Sequence, residues 1–166
     1  KMGNNNSKKW GVALKYLEYL GTSKYTANEL KEEFYKIACS YRISVDDEET
    51  TVYLTGLTDN IGKASGLFES MLSDAKADTT ALSNLKSDIL KKRKDAKLSK
   101  TSILSALRSY GVWGANGPFK NVLTETEVIA LTADELLAII KELNSYDHHF
   151  LYYGNQKLHN PPICLF

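Results

Sequence analysis

The 166-residue chain predicts an α+β fold, a mostly antiparallel sheet with helices packed chiefly on one face. Three observations predict it. Apolar residues recur at helical spacing along most of the chain, three Thr-x-x-Glu capping boxes mark helix starts, and residues 40–56 switch to β-type patterning around an acidic turn. With 43% hydrophobic residues, 25% charged residues and a formal net charge of +1, the composition suits one globular domain with a core of ordinary size. So balanced a charge gives no reason to expect nucleic acid or a membrane surface as partner, and no apolar run reaches the length of a membrane helix.

The polar residues 1–9 read as a cut end or tag remnant, disordered and without the apolar region of a signal peptide. Gly11 to Thr22 predicts a short apolar helix, with Leu14, Leu17 and Glu18 at i, i+3 and i+4 and Gly21 as a left-handed stop. Thr26-x-x-Glu29 opens a second helix carrying Leu30, Phe34, Ile37 and Ala38 on one face. Tyr41, Ile43 and Val45 then alternate with Ser40, Arg42 and Ser44 as a half-buried strand. Asp46 to Glu49 turns the chain, and Thr50 to Gly56 is a β-branched partner strand. Asp59 is placed to cap the next helix, with Ile61, Ala64, Phe68, Met71 and Leu72 inward and Gly62 and Gly66 weakening it.

A longer helix is expected from about Thr80, with Leu82, Leu85 and Ile89 inward and a basic second half. Ser99 or Thr101 starts another, with Ile103, Leu104, Leu107 and Tyr110 on its apolar side. Gly111 to Phe119 reads as a loop. Capping boxes at Thr124-x-x-Glu127 and Thr132-x-x-Glu135 follow, the second opening a helix with Leu136, Leu137, Ile140 and Leu143. His149 to Tyr153 reads as a closing strand, and 156–166 as a linker or tail. Leu17, Phe34, Ile43, Leu54, Phe68, Ile89, Leu107, Leu137 and Leu151 are the expected core. Three strands make a thin sheet, and a strand ahead of the first helix is expected to be missing.

Chemistry-bearing residues are few. Cys39 is expected as a buried free thiol in an apolar helical context, and its distance from Cys164 in sequence identifies no redox compartment. His148 and His149 are neighbours in the expected strand and point to opposite faces, so they cannot chelate one ion. His159 belongs to the tail. The run from Lys91 to Lys100 lacks interleaved aromatic residues and reads as a solvated face.

The segment Lys15-x-x-Glu18-Tyr19 resembles the metal helix of the pitrilysin/insulinase family, inverted zinc peptidases with the signature H-x-x-E-H. Further pieces carry the resemblance in the family's order. These are Leu17 to Thr22, Tyr25 to Leu30, the hairpin with Gly56-Leu57, Phe119 with Thr126 to Leu136, and Phe150 to Asn155. It covers residues 10–155 and implies one metallopeptidase-type α+β unit, a truncated one. In the family two histidines bind zinc and the glutamate between them is the general base. Lys15 and Tyr19 stand at the histidine positions here, and Glu18 remains. The family's third ligand is a later glutamate, to which Asp88 is the nearest match. Arg108 and Tyr110 have the residue types of the family's substrate contacts but not their spacing.

The resemblance therefore implies a domain with no catalytic residue and no metal of its own, zinc being expected on another domain of the parent protein. Its expected role is structural: one part of the peptide-substrate chamber of a zinc-dependent metalloendopeptidase, partnered by a sister peptidase domain and inactive alone. The alternative is a scaffold or assembly protein that kept the fold without peptidase activity. Glu18 is expected as a helix-surface acid paired with Lys15. Nothing in the sequence fixes a cellular compartment.

Overall fold

The computed structural model describes residues 3–117 and 122–155. Its first helix, α1 (Trp10–Leu17), buries Trp10, Ala13, Leu14, Tyr16 and Leu17, five of its eight residues. It ends at Leu17, short of Gly21. The amides of Glu18, Tyr19 and Leu20 bond three residues back, to the carbonyls of Lys15, Tyr16 and Leu17, which tightens the exit from the helix. Gly21 is therefore not the left-handed stop expected of it, and its φ is not positive. What it permits is close approach, since a Cβ there would lie 2.7 Å from the Tyr25 carbonyl oxygen.

Helix α2 (Ala27–Lys36) starts with the expected capping box in full. The Glu29 amide donates to Thr26 Oγ1 at 3.3 Å, and the Thr26 amide donates to Glu29 Oε2 at 2.8 Å. Strands β1 (Cys39–Val45) and β2 (Thr50–Gly56) form the expected antiparallel hairpin, in register from Cys39 opposite Gly56 to Val45 opposite Thr50. A Cβ at Gly56 would overlap Cys39 Sγ, so the hairpin's open end needs a glycine there. Cys39 is buried and free, as expected, but opens a strand and does not sit in a helix. Tyr41, Ile43, Val45, Val52 and Leu54 turn half-buried toward the core. The Tyr41 ring sits between Phe34 of α2 and Phe68, with centroids 5.0 and 5.6 Å away. Arg42 lies over the exposed Tyr53 ring on the opposite face. Helices thus cover one face of the sheet.

A 3-10 turn (Thr58–Asn60) leads into α3 (Ile61–Ser73), which buries Ala64, Phe68, Met71 and Leu72. Asp59 lies inside that turn and does not cap. Asn60 holds the cap position without a side-chain capping bond, and its side-chain amide donates to the Ile37 carbonyl at 2.8 Å. Gly62 and Gly66 meet no neighbour, so they weaken α3 without admitting a close approach. Helix α4 (Thr79–Ala96) is capped by Asp78, whose Oδ1 accepts from the amides of Thr80 and Ala81 at 2.8 and 3.0 Å.

Helix α5 (Lys100–Trp113) is capped by Ser99 and runs past Gly111, so the expected loop begins only at Gly114, with φ +58°. Phe119 lies outside the described residues. Contrary to expectation, α5 buries none of its residues, and Ile103, Leu104, Leu107 and Tyr110 are all exposed. Helix α6 (Glu125–Ala130) has a full capping box at Thr124, and Lys86 Nζ donates to the carbonyls of Ile129 and Leu131 at its end, both at 2.7 Å. Helix α7 (Ala133–Glu142) has only half of one. Thr132 Oγ1 accepts from the Glu135 amide, but the Glu135 carboxylate is turned to the Lys9 ammonium.

The expected strand at His149 to Tyr153 is coil, and Leu151 is 92% exposed. A strand is held by ladder bonds, and among the described residues β1 and β2 pair only with each other. The sheet therefore has two strands and not three. Of the expected core, Leu17, Phe34 and Phe68 are buried and Ile43, Leu54, Ile89 and Leu137 half-buried, while Leu107 and Leu151 are exposed. Residues 3–9, expected as disordered or tag-like, run as turns in which the Asn4 and Asn5 amides donate to the Asp46 and Asp47 carbonyls at 2.9 Å. The tail 156–166, with His159 and Cys164, lies outside the described residues.

The core gathers round α1. Helix α7 packs along it, and α4 and β1 close on other sides. Trp10 donates its indole N–H to Thr50 Oγ1 at 2.6 Å and meets the Tyr146 ring edge-on. The buried Tyr16 hydroxyl donates to the Asp78 carbonyl at 2.7 Å and accepts from the Asp78 amide at 2.9 Å. Tyr16→Phe would leave two backbone groups without that partner and should cost about 1–3 kcal/mol by urea unfolding. A loss below about 0.5 kcal/mol would show that the pair contributes no more than a surface contact.

Burial, with some help from the Glu18 carboxylate, pushes the Tyr41 phenol up to about 12. An unfolded tyrosine ionises near about 10. Tyr41 therefore stabilises the fold fully below about pH 10, and this contribution is lost as pH rises toward 12. Unfolding midpoints should fall through that window, and less steeply in Tyr41→Phe. A Tyr41 phenolate appearing near about pH 10 in an ultraviolet titration would contradict this assignment.

Candidate functional site at the end of the first helix

Lys15, Glu18 and Tyr19 are all exposed where α1 ends. The buried stripe of α1 fixes this, because turning Tyr16 and Leu17 inward leaves their neighbours outside. The expected Lys15–Glu18 ion pair does not form among the described contacts, whose ion pairs are Lys9–Glu135 and Lys36–Glu33. An exposed pair of this kind is worth too little to hold two long side chains together.

Tyr19 is held from the side. Its hydroxyl donates to Asp88 Oδ2 on α4 at 3.4 Å, a long surface bond. The phenol is raised above its usual range, first by burial, then by the Asp88 carboxylate and the bond to it, and last by Glu18. The structure thus brings Asp88, 69 residues on from Tyr19, to the adjacent pair Glu18 and Tyr19. Lys15 shares the helix end but has no partner in this group.

Below the helix end the chain turns sharply, and α3 anchors the turn. The Ser23 amide donates to Asp74 Oδ2 at 2.8 Å, the Ser23 hydroxyl bonds the same oxygen, and the Lys76 amide donates to the Gly21 carbonyl at 3.0 Å. The Ser23 hydroxyl and amide hold the Asp74 carboxyl below its usual range. A surface depression beside the turn is lined in part by Tyr19, Tyr25, Glu29, Lys76 and Asp78.

Three residues that position this region went unread in the sequence: Tyr16, Asp74 and Asp78. Asp78 had a signal, since Asp78-Thr79-Thr80-Ala81 ahead of an apolar-periodic run is an N-cap pattern. Asp74 had none. The remaining candidates do not join the site. His148 and His149 are exposed in coil, and Arg108 and Tyr110 are exposed on α5. Among the described residues no three His, Cys, Asp or Glu side chains come together closely enough to hold a metal ion.

Residues 4–127 match the family model described as insulinase, peptidase family M16. No curated protein matches the chain in sequence. Its fold is similar to that of the periplasmic protease PqqL from Escherichia coli, with TM-score 0.61 and 14% identity, over 86% of this chain and 16% of that one. It is also similar to the ferredoxin protease FusC, solved in complex with Arabidopsis ferredoxin, with TM-score 0.60 and 13% identity over 79% of this chain and 14% of that one. A protease from Helicobacter pylori gives TM-score 0.64 and 13% identity over 82% and 34%. The chain therefore spans only about a third or less of each of these proteins, and at such identities the likeness speaks to fold. The family match is broader, running from the turns ahead of α1 through the hairpin and α2 to α5 into α6, and by it the chain belongs to the insulinase family, peptidase family M16.

Proposed function

We propose that this chain is a non-catalytic structural unit of a zinc-dependent metalloendopeptidase, forming part of a substrate chamber whose metal lies on a sister domain. The observation that carries this reading is the group at the end of α1, where Tyr19 meets Asp88 and Lys15 stands free of Glu18. The family's zinc does not fit these residues. An ammonium at Lys15 repels a cation. The Tyr19 phenol is neutral, and its raised pKa makes it a poorer ligand still. Two exposed carboxylates, Glu18 and Asp88, are left without an imidazole, so no hydrolytic step runs through this site.

What remains is shape. One sheet face and its helices form a rigid wall, and the depression beside Tyr19 offers mixed apolar and polar groups suited to an extended peptide. Membership in a peptidase family supports a peptide or protein as the molecule such a wall would meet. One fold relative, FusC, is a protease solved with a protein bound to it.

Calorimetric titration with zinc should show no stoichiometric tight binding, and the pure chain should show no chelator-sensitive cleavage of a quenched peptide library. Lys15→His together with Tyr19→His should still give no turnover, because the carboxylate opposite is the shorter Asp88 and nothing in the site was built to orient the new ligands. One equivalent of zinc lost on Glu18→Gln, or cleavage abolished by a chelator, would contradict the proposal.

A further inference from the structure

Helix α5 is the one long helix among the described residues that buries none of its side chains. Between Lys100 and Trp113 only Ala106 and Ser109 are even half-buried. Its large apolar residues point outward: Ile103, Leu104, Leu107 and Tyr110 recur at helical spacing, each about half exposed or more. A helix of this length gains little stability from its backbone alone, and an exposed stripe of this size marks a contact surface.

The charge that flanks the stripe in sequence narrows what could cover it. Residues 91–113 contain seven basic residues and one acid, Asp95, although the whole chain is only +1. Six of the seven form the run that ends α4 and starts α5, from Lys91 to Lys100, and the seventh is Arg108. Helix α5 has no acidic residue. We propose that α5 and the basic end of α4 form a docking surface for an acidic amphipathic helix.

Each alternative occupant meets an obstacle. A second copy of this chain, packed stripe to stripe, would bring two strongly positive surfaces together. An anionic bilayer is best met by lysines on the polar face of the inserting helix itself. The polar residues of α5 include Thr101, Ser102, Ser105 and Ser109, and most of the positive charge sits on α4. A strand would find no free ladder groups, because the backbone of a helix is bonded within itself. A helix with leucines on one face and carboxylates beside them satisfies both the stripe and the charge. This surface is separate from the Lys15–Tyr19 region and stands whether or not that region binds metal.

The test is fluorescence anisotropy of a labelled synthetic helix, Leu on one face and Glu on the rest, titrated with the 166-residue chain. The same peptide with Lys in place of Glu is the control, and phosphatidylserine vesicles and sedimentation of the chain alone are run in parallel. The acidic peptide should bind, and bind more weakly as salt is raised. Ile103→Ser with Leu107→Ser, and separately Lys92→Glu with Lys94→Glu, should each weaken it at least about tenfold. All four positions are exposed, so circular dichroism should show the fold retained. Equal binding of the Lys peptide, or affinity unchanged in either double variant, would overturn the proposal. So would vesicle binding without peptide binding, or self-association that Ile103→Ser with Leu107→Ser abolishes.

Discussion

The burial of α1 is the constraint on which the rest of the structure depends. Eight residues supply Trp10, Ala13, Leu14, Tyr16 and Leu17 to the interior, and the elements around them are arranged to receive them. Two polar tips turn this apolar contact into a specific one. The Trp10 indole reaches β2 through Thr50, and the Tyr16 hydroxyl holds both backbone groups of Asp78. Asp78 in turn caps α4 with its side chain, so one residue links the burial of the first helix to the start of the fourth. A buried hydroxyl that donates once and accepts once leaves no unsatisfied group, and that makes Tyr16 a better anchor than a larger apolar residue would be.

The same constraint places the residues at the end of the helix. Once Tyr16 and Leu17 point inward, Lys15, Glu18 and Tyr19 must lie outside, at the end of α1 nearest to α4. The resulting site is an exposed group at a helix end, shaped by the packing behind it. Asp88 comes to Tyr19 from α4 and accepts from its phenol. Position is set by packing and reactivity by single side chains, so the chemistry of exposed positions such as Lys15 and Tyr19 is independent of the architecture that places them.

Local features were legible in the sequence and distant ones were not. The boxes at Thr26 and Thr124 formed as written, and the hairpin appeared with its second strand at the expected residues, because both depend on neighbours in sequence. The box at Thr132 was half right, since Lys9 competes for Glu135 from the far side of the chain. Asp59 does not cap because the 3-10 turn Thr58–Asn60 takes it in and leaves the cap position to Asn60. Gly21 was recognised as special for the wrong reason, the close approach of Tyr25. For Leu107 the helical pattern is correct and burial does not follow from it, while at Leu151 the expected strand itself does not form. Periodicity shows which face would be buried and not whether anything lies against it. At the candidate site the sequence identified Lys15, Glu18, Tyr19 and Asp88, but only the fold brought Tyr19 and Asp88 together.

The molecule divides into a core organised by α1 and a helix, α5, that stands outside it. Native-state hydrogen exchange resolved by residue measures that division directly, because local opening energies follow packing. The amides of α1 and α7 should exchange slowest, near the limit set by global unfolding. Those of α5 should exchange far faster, despite their helical bonds. Protection of α5 equal to that of α1 in the isolated monomeric chain would contradict the account.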